Sequence, residues 1–559
     1  MNGLPLVDAA RMREMDRRTI AEIGIPGLTL MEAAGTGLVR AIVRRYPGLA
    51  RRRIVVVCGK GNNGGDGLVV ARLLRMRGLW PRVLLSSSVE ALSPEARVNA
   101  ERARAVGLVL EPGDPARSLD RLGPGDLLID ALLGTGVAGP ARDASAAWID
   151  AMNRSAATVY AVDIPSGLSA DRGALLGPAV AAQATGCLAH AKAGAAFPPA
   201  QRLWGEVEVI DIGIPDAVTD AVGPVAALAT AAAMRVLLPR PDGATHKGDW
   251  GKLVLVGGSP GTIGAVVLAA SAALRSGIGL LRVALPGSQG GALGAHLTEA
   301  MTIPLPEGED GQPLARGAER ILSGFGDWDA LAVGPGLGRT PEAERLVLKL
   351  LGKWRAPMVI DADGLNALAA WGPDSWVPRA REVRAGGEPG GLVLTPHLGE
   401  MSRLSGLAVE HLREDPIGQA RAWAGRWGVT LLLKGAPTVI AGPDGQVTVN
   451  STGNSGLATG GSGDVLTGMV GALLAQGLSG PAAGSLGAYL HGLAADLAVA
   501  SAAARIAAQR SLLPRDVVEA LPLAVRACED GQEGPRTRIR RWGSTSPGET
   551  AKRRAPQSW

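Results

Sequence analysis

Aromatic residues are scarce in this chain, at 3% of 559 residues with only Tyr 3 and Phe 2. Stacking on rings therefore cannot organise a large binding face, and the cores have to be built from the aliphatic and alanine side chains that make up most of the 46% apolar content. Cysteine is scarcer still: Cys58, Cys187 and Cys528 are widely separated and follow no paired spacing. That excludes a disulfide framework or a cysteine-held zinc and predicts buried thiols in a reducing compartment. Every long apolar run is broken by glycines or charges before it reaches about 18 residues, so no membrane span is expected. Asp8, Arg11, Arg13, Glu14 and Asp16 do not read as a signal peptide, and the expected location is the cytoplasm. The net charge is +5, but from Glu529 onward seven Lys/Arg stand against four Asp/Glu, which places +3 of it there. The remainder is nearly neutral, and no basic stripe with interleaved aromatics points to nucleic acid.

Glycine is abundant, with 79 residues beside 38 prolines. The glycines follow short apolar runs instead of forming low-complexity tracts, a pattern that means loops with backbone tasks. The length calls for two domains and a tail. We expect boundaries of 1–215 and 216–525, with residues 526–559 a disordered basic tail because Glu529–Trp559 is rich in arginine, serine and proline and poor in apolar residues.

In the first half, Arg53–Val57 reads as a buried parallel strand, followed by the glycine loop Cys58-Gly-Lys-Gly-Asn-Asn-Gly-Gly-Asp-Gly67 and a helix over 68–77. Further strands at 82–86, 127–131 and 158–162 alternate with helices at 94–106 and 145–153. That alternation predicts a doubly wound α/β sheet, whose ligands bind at the carboxyl ends of the strands. Polar residues collect there. Asn62, Asn63, Gly64, Gly65 and Asp66 crowd one loop, Asp130 ends a strand before Leu133–Pro140, and Asp163 ends another before Ser166. Backbone carbonyls with Asn63, Asp130 and Ser166 suit an all-oxygen nest for a monovalent cation, and Asp163 is expected to face a ligand; each aspartate taken singly also fits a turn or a cap.

The second half repeats the scheme. Thr245–Gly251 precedes a strand over 252–256, and Gly257–Ala265 is a glycine loop opening a helix whose Ala265 leaves room for a ligand. The strands ending at Val333, Ile360, Leu394 and Leu433 run into Gly334–Gly338, Asp361–Asn366, Thr395–Glu400 and Lys434–Thr438. Their glycines, acids, His397 and Lys434 are expected on one rim. Lys434 and the N–H groups of Gly435, Ala436, Pro437 and Thr438 (proline contributing none) suit a nucleotide phosphate. The stretch Gly453–Gly468 is a glycine-rich loop opening directly into a helix, whose N-terminus also favours phosphate. A carboxylate there, Asp464, is either a cap or a base that deprotonates a hydroxyl attacking phosphorus.

Two resemblances follow from these motifs. Lys60-Gly-Asn-Asn-Gly-Gly-Asp-Gly67 with Asp130, Gly134-Thr-Gly136 and Asp163-Ile-Pro-Ser-Gly167 resembles, over about residues 8–215, the N-terminal epimerase domain of bifunctional NAD(P)H-hydrate repair enzymes. Gly334-Pro-Gly-Leu-Gly, Asp361-Ala-Asp-Gly-Leu-Asn, Thr395-Pro-His-x-Gly-Glu and Ala458-Thr-Gly-Gly-Ser-Gly-Asp resemble, over about 225–510, the ADP/ATP-dependent NAD(P)H-hydrate dehydratase of ribokinase-like fold. Ser455, Ser462 and Trp250 depart from the usual proline, threonine and tyrosine.

The resemblance implies a Rossmann-like three-layer αβα domain followed by a ribokinase-like α/β domain. It implies that the first interconverts R- and S-NAD(P)HX and the second dehydrates the S form at the expense of ADP, giving AMP and phosphate. Carried over, the hydrate in the first domain meets Asn62–Asp66, Gly134, Thr135, Gly136, Val137, Ala138, Gly139, Pro140 and Asp163, with potassium at Asn63, Asp130 and Ser166. In the second, the hydrate meets Ala265, Gly336, Gly338, His397 and Asp464, and the nucleotide meets Lys434–Thr438 and Gly463. Asp464 and Asp163 are the expected catalytic residues. The expected partners are NADHX, NADPHX and ADP with Mg²⁺ and K⁺, in a homo-oligomer. The competing expectation is a ribokinase-like small-molecule kinase whose first domain only binds a ligand.

Overall fold

The protein is described here by a computed structural model that covers residues 3–136, 139–240, 243–325, 327–384, 391–500 and 508–541. It divides into two compact units, one formed by Leu4–Ala227 with the described residues from Arg538 to Arg541, the other by Leu228–Thr537.

In the N-terminal unit, eight strands form one sheet. Their order is Ile539–Arg541, Glu206–Ile210, Ala184–Leu188, Thr158–Val162, Leu127–Ala131, Ile54–Cys58, Arg82–Leu85 and Leu110–Pro112, and every adjacent pair is parallel. The central strands are buried on both faces, which is why they read as unbroken β-branched runs. Alternate residues of Ile54–Cys58 serve opposite cores. Ile54, Val56 and Cys58 pack with the helices Gly27–Arg45, Asn62–Met76 and Pro94–Ala105, whereas Val55 and Val57 pack with Trp148 and Ile149 of the helix Asp143–Arg154. The three-layer arrangement follows from that alternation.

The helix after the first strand starts earlier than the sequence predicts, at Asn62 and not at Leu68. Asn62–Gly67 are its first turns. Their glycines serve close packing: a Cβ on Gly64 would fall 1.9 Å from the Gly59 carbonyl oxygen, and one on Gly67 would fall 2.5 Å from the Ala131 side chain.

The boundaries at 215 and 525 are both displaced. Helix Asp216–Val222 stays with the first unit because its Val218 is buried against Val7, Met12 and Met15. The alanine-rich stretch that follows forms a strand at Ala226–Leu228 and a helix at Ala231–Leu237, capped by Thr230, whose Oγ accepts the Ala233 N–H. At the far end, helix Pro514–Glu529 runs past 525, and Ile539–Arg541 adds an edge strand to the first sheet. The tail expectation is therefore wrong for residues 526–541; Ile539 and Cys528 are buried. Residues 542–559 lie outside the described residues.

Among the described residues of the C-terminal unit, nine strands run in the order Met301–Leu305, Leu280–Pro286, Lys252–Val256, Ala330–Val333, Met358–Ile360, Leu392–Leu394, Thr430–Leu433, Val439–Ala441 and Val447–Val449. The first seven are mutually parallel and the last two antiparallel. One core is built on helices Ile263–Arg275, Ser462–Ala475, Gly480–Ala500 and Pro514–Glu529 and consists largely of Ala, Val and Leu. Gly468 permits its tightest crossing, since a Cβ there would meet the Ala269 carbonyl oxygen at 1.9 Å. Among the described residues no helix is long and apolar enough to cross a membrane.

Candidate active sites

Parallel strands deliver their carboxyl ends to one rim in each unit, and the strand-end acids predicted from sequence sit there. In the N-terminal unit, Asp130 is fully buried at the end of its strand. Its Oδ1 accepts from Ser166 Oγ at 2.6 Å and from Leu132 N at 3.2 Å, and its Oδ2 accepts from Ser166 N at 2.8 Å. Burial pushes its carboxyl up to about 6, against the pull of the Ser166 bonds. Asn63 Nδ2 donates to the Leu133 carbonyl at 2.9 Å, which leaves Asn63 Oδ1 buried without a partner. An orphaned buried acceptor costs on the order of 1–3 kcal/mol. With Asp130, Ser166 Oγ and the Leu133 carbonyl nearby, it fits a cation bound by oxygen alone.

Gly134 lies against Asn63, where a Cβ would meet the Asn63 Cβ at 3.1 Å, while Gly136 and Gly139 have open space around them. Asn62 Oδ1 accepts from Ser93 Oγ at 2.7 Å. Thr135 stands in the same turn and Pro140 beside Gly177. Val137 and Ala138 are outside the described residues.

Asp163 directly follows its strand in the left-handed region, at φ 63°. Its Oδ1 accepts from Leu188 N at 3.0 Å and from Lys192 Nζ at 2.5 Å. Lys192 is 0% exposed and also donates to the Leu188 carbonyl at 2.8 Å. Burial opposes its charge, yet Asp163, followed by Cys187, leaves the ammonium raised. Two more carboxyls share this environment. Asp66 is driven well up by burial, then by Asp163 and Asp16; burial pushes Asp16 up to about 6 against the pull of Lys192. Sequence reasoning missed Lys192 and Asp16. Lys192 lies in an unremarkable Ala191-Lys-Ala-Gly194 run, and Asp16 in a helix of mixed charge, so neither carries a local signal.

In the C-terminal unit, the buried Asp361 follows strand Met358–Ile360. Its Oδ1 pairs with Lys434 Nζ at 2.7 Å and its Oδ2 accepts from Thr467 Oγ at 2.5 Å. Glu400 Oε2 stands 3.9 Å from the same ammonium. The Lys434 ammonium is thus already paired within the protein, and its side chain remains 18% exposed. The turn after it, Gly435–Thr438, stays at least partly exposed. Thr467 was not anticipated; its spacing of one helical turn from Gly463, whose carbonyl it also reaches at 3.1 Å, was the available signal.

Gly461, at φ 92°, caps helix Ser462–Ala475, so Asp464 is inside the first turn and is not the cap. Asp464 accepts no hydrogen bond among the described residues. Burial, then Asp361, pushes its carboxyl up to about 7, against the pull of Lys434. Gly463 lets the helix start approach the pair, for a Cβ there would sit 3.1 Å from Lys434 Nζ. Across the rim, Gly336 and Gly338 take positive φ, and the Gly338 N–H binds Asp363 Oδ2 at 3.0 Å. Ala265 is half-buried near the start of its helix.

His397 caps helix Leu398–Ser405. Its Nδ1 accepts from Gly399 N at 3.0 Å and Glu400 N at 3.2 Å, which puts the neutral ring's proton on Nε2. Burial, then Lys434, holds it below the usual histidine range. The ring is thus an uncharged donor at the rim. Among the described residues no three His, Cys, Asp or Glu side chains converge on a metal position.

Comparison with known proteins now decides the family. Residues 253–516 match the family described as NAD(P)H-hydrate dehydratase, and residues 27–194 match the one described as YjeF-related protein N-terminus. The bifunctional NAD(P)H-hydrate repair enzyme Nnr of Moorella thermoacetica is 44% identical over 533 residues, covering 94% of this chain and 98% of its own. The chain belongs to the bifunctional NAD(P)H-hydrate repair enzymes. The Escherichia coli repair enzyme Nnr is 34% identical over 492 residues, 88% of each chain. The ADP/ATP-dependent NAD(P)H-hydrate dehydratase of Bacillus subtilis, crystallised with ATP and Mg²⁺, is 30% identical with a TM-score of 0.45 and covers 54% of this chain and 98% of its own. Both halves expected of a repair enzyme are therefore present in one chain, and the simple-kinase expectation loses its ground.

Proposed function

We propose that this repair enzyme restores hydrated nicotinamide nucleotides in two steps. The N-terminal unit interconverts the R and S hydrates, and the C-terminal unit dehydrates the S form with ADP as phosphoryl donor, giving NAD(P)H, AMP and phosphate. The observation that carries the second step is Asp464: an unpartnered carboxyl in the first turn of a glycine-led helix, held near neutrality beside the Lys434–Asp361 pair. A base with a value near the working pH combines adequate ionisation with proton affinity.

Asp464 takes the proton of the substrate hydroxyl as that oxygen attacks the terminal phosphorus of ADP. The helix N-terminus and the N–H groups of the turn after Lys434 hold the donor phosphates, and Gly463 lets them approach. Magnesium brought with the nucleotide would offset the charge of its phosphates. The hydroxyl, a poor leaving group, becomes a phosphate ester; phosphate departs from C6, a proton leaves the neighbouring carbon, and the double bond returns. Ala265, Gly336, Gly338 and His397 line the hydrate's side, with His397 Nε2–H as a donor. Lys434, through its pair, holds Asp361 in place.

In the N-terminal unit, Asn63 Oδ1, Asp130, Ser166 and the Leu133 carbonyl would hold potassium, which supplies positive charge beside the substrate phosphates. Asn62–Asp66, Gly134–Pro140 and Asp163 bind the hydrate. We place the enzyme in the cytoplasm as a homo-oligomer.

The test is to supply R and S hydrate with ADP, Mg²⁺ and K⁺ and follow dihydronicotinamide absorbance. Complete recovery supports both steps. Recovery that stops at the S fraction, apart from slow spontaneous interconversion, removes the first; no recovery with ADP or ATP removes the second.

A further inference from the structure

The buried Lys192 has no place in hydrate or cation binding, yet a lysine with no exposed surface is costly unless its charge is used. Its ammonium bridges the Leu188 carbonyl and Asp163 Oδ1, and Leu188 N closes on the same oxygen. Two donors thereby fix one carboxylate oxygen of a residue whose backbone already sits at φ 63°. Asp163 Oδ2 accepts no hydrogen bond among the described residues. Asp66, from the first turns of helix Asn62–Met76, comes close enough for its charge to act on Asp163, and neither oxygen of its carboxyl accepts a hydrogen bond among the described residues. The titratable groups facing Lys192 are Asp163, Cys187 and Asp16, with Asp66 and His190 beside them.

We propose that Lys192 is the positioning residue of the N-terminal site. It holds Asp163 with one oxygen open as the proton acceptor, and it leaves Asp66 beside it as the proton donor. The inference rests on the epimerase reading and assigns its acid and base. C6 of the hydrate carries both the hydroxyl and ring N1, so inversion requires one bond at C6 to break and re-form. Asp163 takes the hydroxyl proton, and the freed oxygen pair forms a carbonyl as the C6–N1 pair moves onto N1. N1 then takes the proton of Asp66. After rotation of the aldehyde, N1 attacks the other face of the carbonyl carbon and both proton transfers run backwards, returning the enzyme unchanged. The two carboxyls share one proton throughout, and Lys192 balances the remaining charge.

The test uses the full-length protein with mixed R and S hydrate, ADP, Mg²⁺ and K⁺. The S form is consumed in a fast phase and the R form in a slow phase limited by interconversion. Lys192→Gln is expected to slow the second phase by about 10²-fold and to move the acid limb of its pH profile upward, with the fast phase as internal control. Lys192→Arg, which keeps the charge, is expected to restore the acid limb. A wild-type slow phase in Lys192→Gln, or a slowed phase with an unmoved acid limb, overturns the proposal. Should Lys192→Gln not fold, Asp66→Asn decides: a loss of about 10²-fold supports the donor role, and an undiminished rate overturns it. A wild-type enzyme with no slow phase beyond spontaneous interconversion would instead remove the epimerase reading itself.

Discussion

The two units solve one electrostatic problem twice and put the solution to different use. Each pairs a lysine, fully buried in the first unit and partly buried in the second, with an aspartate at the end of a parallel strand, Lys192 with Asp163 and Lys434 with Asp361. Each keeps further carboxyls beside the pair whose burial favours the protonated form: Asp66 and Asp16 in one, Asp464 and Glu400 in the other. The surroundings differ. In the C-terminal unit the cluster lies under the N-terminus of a glycine-led helix, a place for phosphate, so Asp464 can serve phosphoryl transfer. In the N-terminal unit the corresponding helix starts with Asn62 and Asn63, and the unpaired oxygen of Asn63 calls for a cation. The pair sets where protons reside; the neighbouring helix start sets what the site binds.

The sharpest break of the comparison is Asp464→Asn. Dehydration should fall on the order of 10²–10⁴-fold while R/S interconversion persists, measured by nucleotide recovery and by separation of the epimers. Equal loss of both would mean that the chemistries are not divided between the units. Next is Lys434→Met, which strands Asp361 in a buried site; denaturant unfolding should show a loss of about 3–5 kcal/mol. An unchanged midpoint would mean that the pair contributes nothing to the fold.

The pH dependence follows from Asp464. Its carboxyl rises from 3.8 to about 7 on folding, so the native state binds the extra proton. Ionising it therefore costs stability as pH rises from about 4 to about 7, and the cost remains above that range. The wild-type protein should lose stability relative to Asp464→Asn over that interval. The acid limb of kcat/KM for dehydration should lie near pH 7 (about 7 for the free enzyme); a limb in the ordinary carboxylate range would sink the assignment.

A smaller effect is expected from Ser166→Ala. Potassium stimulation of interconversion should weaken by roughly tenfold, at the low end for ligand-sphere changes, with dehydration unaffected. The smallest concerns Ile539, buried in the edge strand of the first sheet. Ile539→Ala should cost the N-terminal unit about 2 kcal/mol and leave both rate constants unchanged. A collapse of interconversion would mean that the strand does more than complete the sheet.

The strand-end acids and glycine turns were legible because parallel α/β folding puts every strand's carboxyl end on one rim. Asp130, Asp163, Asp361 and Lys434 each follow an apolar run that announces its position, and Asp464 stands between a glycine loop and the apolar run of a helix. The helical state of Asn62–Gly67 was not legible: a cluster of glycines reads as a loop, whereas here they admit Gly59 and Ala131 at contact distances no side chain would allow. The segment 526–541 also misled, since its arginines suggested solvent while Cys528 and Ile539 are buried.

The sequence by itself determined the two α/β units, their rims and the place of a carboxylate at the start of the last glycine-led helix, because periodicity and turn residues act locally. Only the tertiary structure decided which charges meet. Lys192 reaches Asp163 across 29 positions and Lys434 reaches Asp361 across 73. Such pairings depend on burial and on the order of strands in the sheet, and no local pattern along the chain encodes them.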